Sequence, residues 1–161
     1  MSNQLKKVVE SAKWLPANVR AVVVSKILGK VVPYVGTSGL LYEEITSERV
    51  IVSIKNRHKV QNHINNVHAA AMALLAETAT GFVVGINLPD DKLPLIKTLK
   101  VDFNKRTQGD MRAVATLTPA DIARIQTEPK GEVLVPVSVT DESGGEPIQC
   151  EMLWAWVPKK R

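Results

Sequence analysis

Several kinds of residue are scarce in this chain, and each shortage removes a class of function. Of the 161 residues one is a cysteine, Cys150, so no intramolecular disulfide can form and no cysteine-based zinc motif is available. That usage fits a reducing compartment, and a cytoplasmic protein is the expectation. Aromatic residues make up 4% of the chain, too few for the stacking platforms of a single-strand nucleic-acid binder. The net charge of +5 comes from dispersed lysines and arginines, with one short run at Lys159-Lys160-Arg161. Nucleic-acid proteins gather such residues into a patch, so no nucleic-acid partner is expected. A polyanionic small molecule, such as a thioester attached to a nucleotide, suits dispersed charge equally well. No uncharged apolar run reaches the ~18 residues that cross a bilayer, and no membrane span is expected. Lys6-Lys7 ahead of apolar residues imitates a signal peptide, but Glu10, Lys13 and Arg20 interrupt that stretch. The sequence also lacks a Gly-x-Ser-x-Gly elbow and a glycine-rich phosphate loop.

What is present is an ordinary globular composition, 45% hydrophobic and 23% charged, in a length that suits one domain with a sizeable core. Leu5, Val8, Val9, Ala12 and Leu15 recur at helical spacing until Pro16 stops the helix. A second apolar helix covers residues 17 to about 28 and ends near Gly29. Pro33 and Gly36-Thr37-Ser38-Gly39 read as a loop. Residues 40–45 and 50–55 are strand-like. A polar loop over 56–66 leads into an apolar helix over about 67–80, with Asn65 or Asn66 as N-cap and Gly81 as its stop. Downstream, residues 82–87, 96–104, 111–117, 132–140 and 148–157 read as five strands. Thr118-Pro119-Ala120-Asp121 starts a short helix among them, and residues 141–145 form a hairpin turn. The sum is an α+β chain, an antiparallel sheet of six or seven strands with one long helix inserted after the second. A helix that apolar must be buried on most sides, so the sheet wraps around it.

That helix carries one acid, Glu77. Burying a carboxylate is costly unless it is paired or hydrogen-bonded, which makes Glu77 a functional candidate. The competing reading is a structural carboxylate held by loop N–H groups. Asparagine also suits turns and caps; Asn65 and Asn66 are read that way, and Asn62 as functional. His58, His63 and His68 recur every five residues, which stacks on no helix face. No acid or cysteine lies near them at ligand spacing, so no metal site is expected. Trp154 and Trp156 share a strand face and read as core or interface.

Asn62-x-x-Asn65-x-x-His68-Ala69, with Glu77 eight residues after Ala69, resembles the signature of the phenylacetyl-CoA-type hotdog thioesterases. There an asparagine precedes a His-Gly at the helix start, and an Asp or Glu follows on the helix. The later Val101-Asp102-Phe103 strand and its Gly109-Asp110 turn resemble the same family. The resemblance covers roughly residues 40–157, and the helices ahead of it resemble an uncharacterised branch of thioesterase-like hotdog domains. It implies a hotdog domain over 40–161 behind an N-terminal helical extension over 1–39.

The activity it implies is hydrolysis of an acyl-CoA or acyl-carrier thioester, with no cofactor beyond the coenzyme A of the substrate. Glu77 would act as base or nucleophile and the Ala69 N–H as oxyanion donor. Asn62 would orient the water or the carbonyl, and His68 would hold the loop. Such sites are shared between subunits, so a homodimer or a dimer of dimers is implied. The chemistry agrees, because thioester hydrolysis needs a nucleophile and donors for an oxyanion, and a helix N-terminus supplies free N–H groups and a positive dipole end. Two positions depart from the pattern. Ala69 replaces the glycine, and Gly81 stands four residues after Glu77 where some relatives carry a hydroxyl, which leaves Thr78 or Thr80 to bind substrate. Lys100, Lys105 and Arg106 near the Gly-Asp turn are candidates for the phosphates of coenzyme A; the alternative is a solvated strand edge.

Two rival functions share this fold. His63 precedes Glu77 by fourteen residues, which resembles the His–Glu pair of hotdog 3-hydroxyacyl-carrier-protein dehydratases. Those enzymes carry a proline- and glycine-rich loop where this chain has Ile64-Asn65-Asn66-Val67. The other rival is a non-catalytic acyl-CoA-binding module, since a fold alone does not bring an activity.

Overall fold

A computed structural model describes residues 3–159; Lys160 and Arg161, the end of the C-terminal basic run, lie outside the described residues. Three helices come first, α1 (Gln4–Ser11), α2 (Ala17–Val31) and α3 (Pro33–Ser38). Strands β1 (Leu41–Ile45) and β2 (Arg49–Ile54) follow, then the central helix α4 (Ala69–Gly85). The rest is β3 (Lys92–Phe103), β4 (Met111–Thr116), α5 (Pro119–Thr127), β5 (Gly131–Leu134), β6 (Val137–Asp141) and β7 (Ile148–Pro158).

All the ladders are antiparallel, in the orders β1-β2-β4-β6 and β3-β7-β5. β5 and β6 are one run interrupted at Val135-Pro136, because proline has no N–H for a ladder. The Val135 N–H goes to Met152 O at 3.0 Å on one side, and Pro136 O accepts the Thr116 N–H at 3.1 Å on the other. The two sheets therefore join into one surface that curls around α4, the hotdog arrangement. Val50, Val52, Ala113, Met152 and Trp156 line its inside, fully buried, as are Leu75, Ala76, Ala79 and Val83 of the helix.

The central helix starts and stops elsewhere than its sequence suggests. His68, not Asn65 or Asn66, is the N-cap; its backbone is extended (φ −65°, ψ 144°) and its Nδ1 accepts the Ala70 N–H at 3.0 Å. The helix then runs through Gly81 to Gly85, so the strand expected at 82–87 is largely helix. A Cβ at Gly81 would come within 2.5 Å of the Trp154 ring, so glycine there permits close packing and is not a stop. Val83 and Val84 are 0% exposed. Burying a valine contributes about 1.5–3 kcal/mol, against a helix-propensity penalty of about 0.7 kcal/mol or less. Burial decides.

The same reason corrects the loop expected at Gly36-Thr37-Ser38-Gly39, which lies mostly in α3. Pro33 opens that helix and Gly39 closes it in the left-handed region (φ 72°). Gly36 meets α2 at Gly29, where a Cβ on Gly36 would stand 2.5 Å from Gly29 O. β3 begins at Lys92, ahead of the expected 96, and carries a bulge between Ile96 and Thr98.

The two edges of the sheet are treated differently. On one side α2 covers β1, and its Ser25 hydroxyl accepts the Tyr42 N–H at 2.8 Å while donating to Ala21 O at 2.6 Å. Asn3 ties α1 to the end of the central helix: Oδ1 caps Leu5 and Lys6, and Nδ2 donates to Gly85 O and Leu88 O. On the other side β3 pairs with β7 alone among the described strands. Its Ile96, Leu99 and Phe103 stand opposite the buried Trp154, Met152 and Ile148, yet they remain exposed. The start of β3 is also tied to α5. The buried Lys92 ammonium donates to Ile125 O (2.9 Å), Gln126 O (3.1 Å) and Glu128 O (2.7 Å), the carbonyl end of α5.

Candidate functional site

The segment between β2 and α4 is folded on itself. Gln61 bridges to Val67, the Asn62 N–H donates to Asn66 O at 2.9 Å, and the His68 N–H donates to Val60 O at 2.8 Å. Asn62 Oδ1 accepts the N–H groups of Ile64 (3.0 Å) and Asn66 (3.1 Å). Asn65 takes the left-handed conformation (φ 61°), which asparagine tolerates. The two donors settle which end of the Asn62 amide is oxygen. Its Nδ2 has no partner among the described residues, so toward a ligand Asn62 can donate and not accept.

A second layer holds this loop in place. The Asn56 side chain donates to Asn65 O at 3.0 Å and accepts from Gln61 Nε2 at 3.1 Å. The Asn56 N–H donates to Asp110 Oδ1 at 2.7 Å, just after the left-handed Gly109 (φ 65°). The Gly-Asp turn singled out in the sequence is thus a support for the loop. Asn56 and Gln61 are supports of the candidate site that sequence reading misses, since their only signal is membership of a polar stretch.

The first turn of α4 can be accounted for amide by amide. The Ala70 N–H goes to His68 Nδ1, and the N–H groups of Ala71 (2.9 Å) and Met72 (3.0 Å) go to His68 O. The N–H of the exposed Ala69 has no acceptor among the described residues. His68 therefore satisfies the turn except for one donor, which sits at the positive end of the helix dipole.

Ala69, Ala70, Ala73, Leu74 and Glu77 form the stripe of α4 that the sheet leaves exposed or half-buried. Burial pushes the Glu77 carboxyl above its ordinary pKa, while the neighbouring Thr78 hydroxyl pulls it down. That hydroxyl is buried and stands close to the carboxylate without a hydrogen bond of good geometry. Tyr42, on β1 and 2% exposed, packs its ring 4.8 Å from Phe82. Its phenol is pushed up by burial and then by the charge of Glu77, which makes Tyr42 an unforeseen neighbour of the acid.

Other expected residues lie elsewhere. Thr80 is fully buried, donates to Ala76 O at 2.9 Å and accepts from Trp154 Nε1 at 2.9 Å, so it joins helix to sheet and is closed to a substrate. Lys100 pairs with Asp102 (3.2 Å) and Glu151 (3.9 Å) on the face of β3 turned away from α4. Lys105 reaches Gly145 of the hairpin, and Arg106 is exposed beside it. These three cations do not gather into one cluster. His63 is exposed at the loop tip, without a hydrogen bond from its ring among the described residues. No three or more His, Cys, Asp or Glu side chains among the described residues are placed to hold a metal ion, and none of their helices is long and apolar enough to cross a membrane.

No curated protein matches this sequence. In three dimensions the chain is similar to a protein of unknown function from Pseudomonas aeruginosa named a probable thioesterase, at 24% identity over 90% of this chain and 97% of that one, with a TM-score of 0.76. It is similar to a thioesterase from Haemophilus influenzae at 12% identity over 83% and 90% of the two chains, TM-score 0.67. A third likeness is to a thioesterase from Staphylococcus aureus, at 14% identity over 78% and 99%, TM-score 0.66. That protein was solved as two variants, with a glutamine and a glutamate fifteen positions apart each replaced by alanine. At these identities the likeness establishes the hotdog fold. The family model described as "Domain of unknown function (DUF4442)" matches residues 20–157, and the chain belongs to that family.

Proposed function

We propose that the chain hydrolyses acyl-CoA thioesters, with Glu77 as general base and the Ala69 N–H as oxyanion donor. The observation that carries this is the state of the first turn of α4. Its amides are satisfied except that of Ala69, and this free donor shares one open stripe with the only acid of the helix. Within one helix the two cannot meet, since eight residues at the helical rise place them about 12 Å apart. A site that uses both takes Glu77 from one copy and Ala69 from another. The uncovered β3 edge, with Ile96, Leu99 and Phe103 exposed beside it, supports a homodimer that pairs β3 with its own copy.

In this reading Glu77 takes a proton from a water whose oxygen attacks the thioester carbonyl carbon. The carbonyl electron pair moves onto oxygen, where the Ala69 N–H and the helix dipole stabilise it. Collapse of that intermediate expels the thiolate, which recovers the proton from Glu77. Asn62 Nδ2 donates to the carbonyl or the water, and His68 fixes the turn. The spacing of Asn62 and Glu77 is also fifteen, equal to that of the two positions replaced in the Staphylococcus aureus relative, which supports an amide and a carboxylate working together. The names of the structural relatives support the reaction class.

The test is a panel of short, long and aromatic acyl-CoA thioesters with wild type, Glu77→Ala and His63→Ala. The expected result is turnover that Glu77→Ala abolishes and His63→Ala preserves. Enoyl formation from a 3-hydroxyacyl thioester, lost in both variants, would instead assign a dehydratase. Binding without turnover of any member would assign a non-catalytic module.

A further inference from the structure

We infer that the hollow between α2, α3 and the β1–β2 edge is an anion site that takes the phosphate-bearing nucleotide end of coenzyme A. The identity of this ligand rests on the thioester reading above. The hollow has a volume of about 560 Å³ and is lined by Lys26, Lys30, Lys55 and Arg57. A fifth cation joins them, because Lys59 Nζ lies over Gly39, 3.0 Å from where a Cβ would stand. No acidic side chain lines the hollow. None of the five cations makes an ion pair among the described residues.

Stability does not explain such a gathering. Lys26 and Lys30 stand one helical turn apart, where like charges repel. A concave surface with one sign of charge focuses its field on whatever enters. The apolar part of the remaining lining, Val22, Leu40 and Leu41, suits the flat face of a base, and Ser25 and Ser53 stand beside it. The volume is that of a small-molecule pocket, whereas a nucleic acid or a membrane would be met by an open ridge. Lys55, Arg57 and Lys59 also stand seven, five and three positions ahead of Asn62, on the segment held by Asn56 and Asp110. The long flexible arm between thioester and nucleotide allows the two ends of one substrate to occupy separate sites on a shared support.

Calorimetric titration with coenzyme A and with adenosine 3′,5′-bisphosphate tests this directly, on wild type, Lys26→Glu/Arg57→Glu and Lys30→Glu/Lys55→Glu. The exposed positions leave the fold intact, which thermal melting checks. Both ligands are expected to bind wild type and to bind each charge-reversed protein about tenfold or more weakly. With acyl-CoA as substrate the KM rises and kcat holds. The same acyl group on N-acetylcysteamine, which has no phosphates, is hydrolysed as before. Coenzyme A affinity that ignores both reversals would overturn the site, as would binding of anionic vesicles or an acidic carrier protein in its place. The two readings fail separately. Charge-dependent binding without hydrolysis ends the thioesterase and keeps the site, whereas Glu77-dependent hydrolysis with charge-independent binding does the reverse.

Discussion

The Asp110 carboxylate accepts the Asn56 N–H at 2.7 Å, a contact between residues 54 positions apart. Through it the turn after β3 fixes the loop that carries Asn62. Removing the carboxylate in Asp110→Ala frees Asn56, and with it the carbonyl of Asn65 and the amide of Gln61. A small displacement of positioning groups can cost about 100-fold in rate, so kcat/KM is expected to fall about 10- to 100-fold. The stability loss is about 1–3 kcal/mol, the cost of leaving one donor unsatisfied. Asp110→Asn keeps an acceptor and retains most of both. Steady-state kinetics beside urea unfolding separates the effects; a loss of stability with full activity would show that Asp110 does not position the site.

Ala69 offers an unusually clean substitution. Proline removes a single backbone donor, and at the first position of a helix that donor has no helical partner in any case. His68 already has the extended backbone that a following proline requires (φ −65°, ψ 144°). Ala69→Pro should therefore leave the melting temperature unchanged or slightly higher, while kcat falls about 10²- to 10³-fold, the usual cost of one oxyanion donor. Equal activity in Ala69→Pro would remove the backbone N–H from the mechanism.

Much of the fold is legible in the sequence where the signals are local. The Thr118–Asp121 capping box forms, with Asp121 N to Thr118 Oγ1 at 3.1 Å, and the hairpin at 141–145 turns on Gly144 (φ 76°). Reading fails where a residue serves a distant contact. Gly81 resembles a helix stop and Gly36 a loop residue, yet each permits close packing, on Trp154 and on Gly29. Val83 and Val84 resemble a strand because their burial is invisible in the local pattern. In the site, Glu77 and the loop are legible as an acid in an apolar helix behind a polar stretch. Tyr42 and Asn56 are not, because strand pairing brings one to Glu77 and the other to Asp110. Lys26, Lys30, Lys55, Arg57 and Lys59 count as dispersed charge along the chain, and only folding assembles them.

Glu77 binds its proton more tightly in the folded chain than in the unfolded one, because burial disfavours the charge. The stability associated with it is therefore full below the unfolded pKa and is lost as pH rises through the folded value. Glu77→Gln has no charge to bury. It should be more stable than wild type at neutral pH by on the order of 1 kcal/mol, or about 3 °C. The advantage should vanish as pH falls below the ordinary carboxylate range. With Glu77 as the proposed base, activity is expected to run the other way, since that base must be ionised. The acid limb of wild-type kcat/KM should lie above the ordinary glutamate value, and the Gln variant should be inactive throughout. Thermal melts across pH would refute this account if Glu77→Gln were less stable than wild type at pH 7.

A site divided between two copies makes a prediction that a site within one chain does not. Glu77→Gln and Ala69→Pro should each be inactive alone. Mixed under conditions that let subunits exchange, they form a heterodimer in which the intact Glu77 of one copy faces the intact Ala69 of the other. The second site of that heterodimer carries both substitutions and stays dead. With random exchange half of the dimers are mixed and each holds one working site of two, so activity should recover to about one quarter of wild type. Recovery must also need the β3 edge. Adding Leu99→Glu and Phe103→Glu to both proteins places charge on the exposed apolar face of that strand, which blocks pairing there. Complementation should then disappear, and sedimentation should show monomers. Recovery that survives these edge substitutions would place the shared interface elsewhere, and no recovery between freely exchanging subunits would confine Glu77 and Ala69 to separate tasks within one chain.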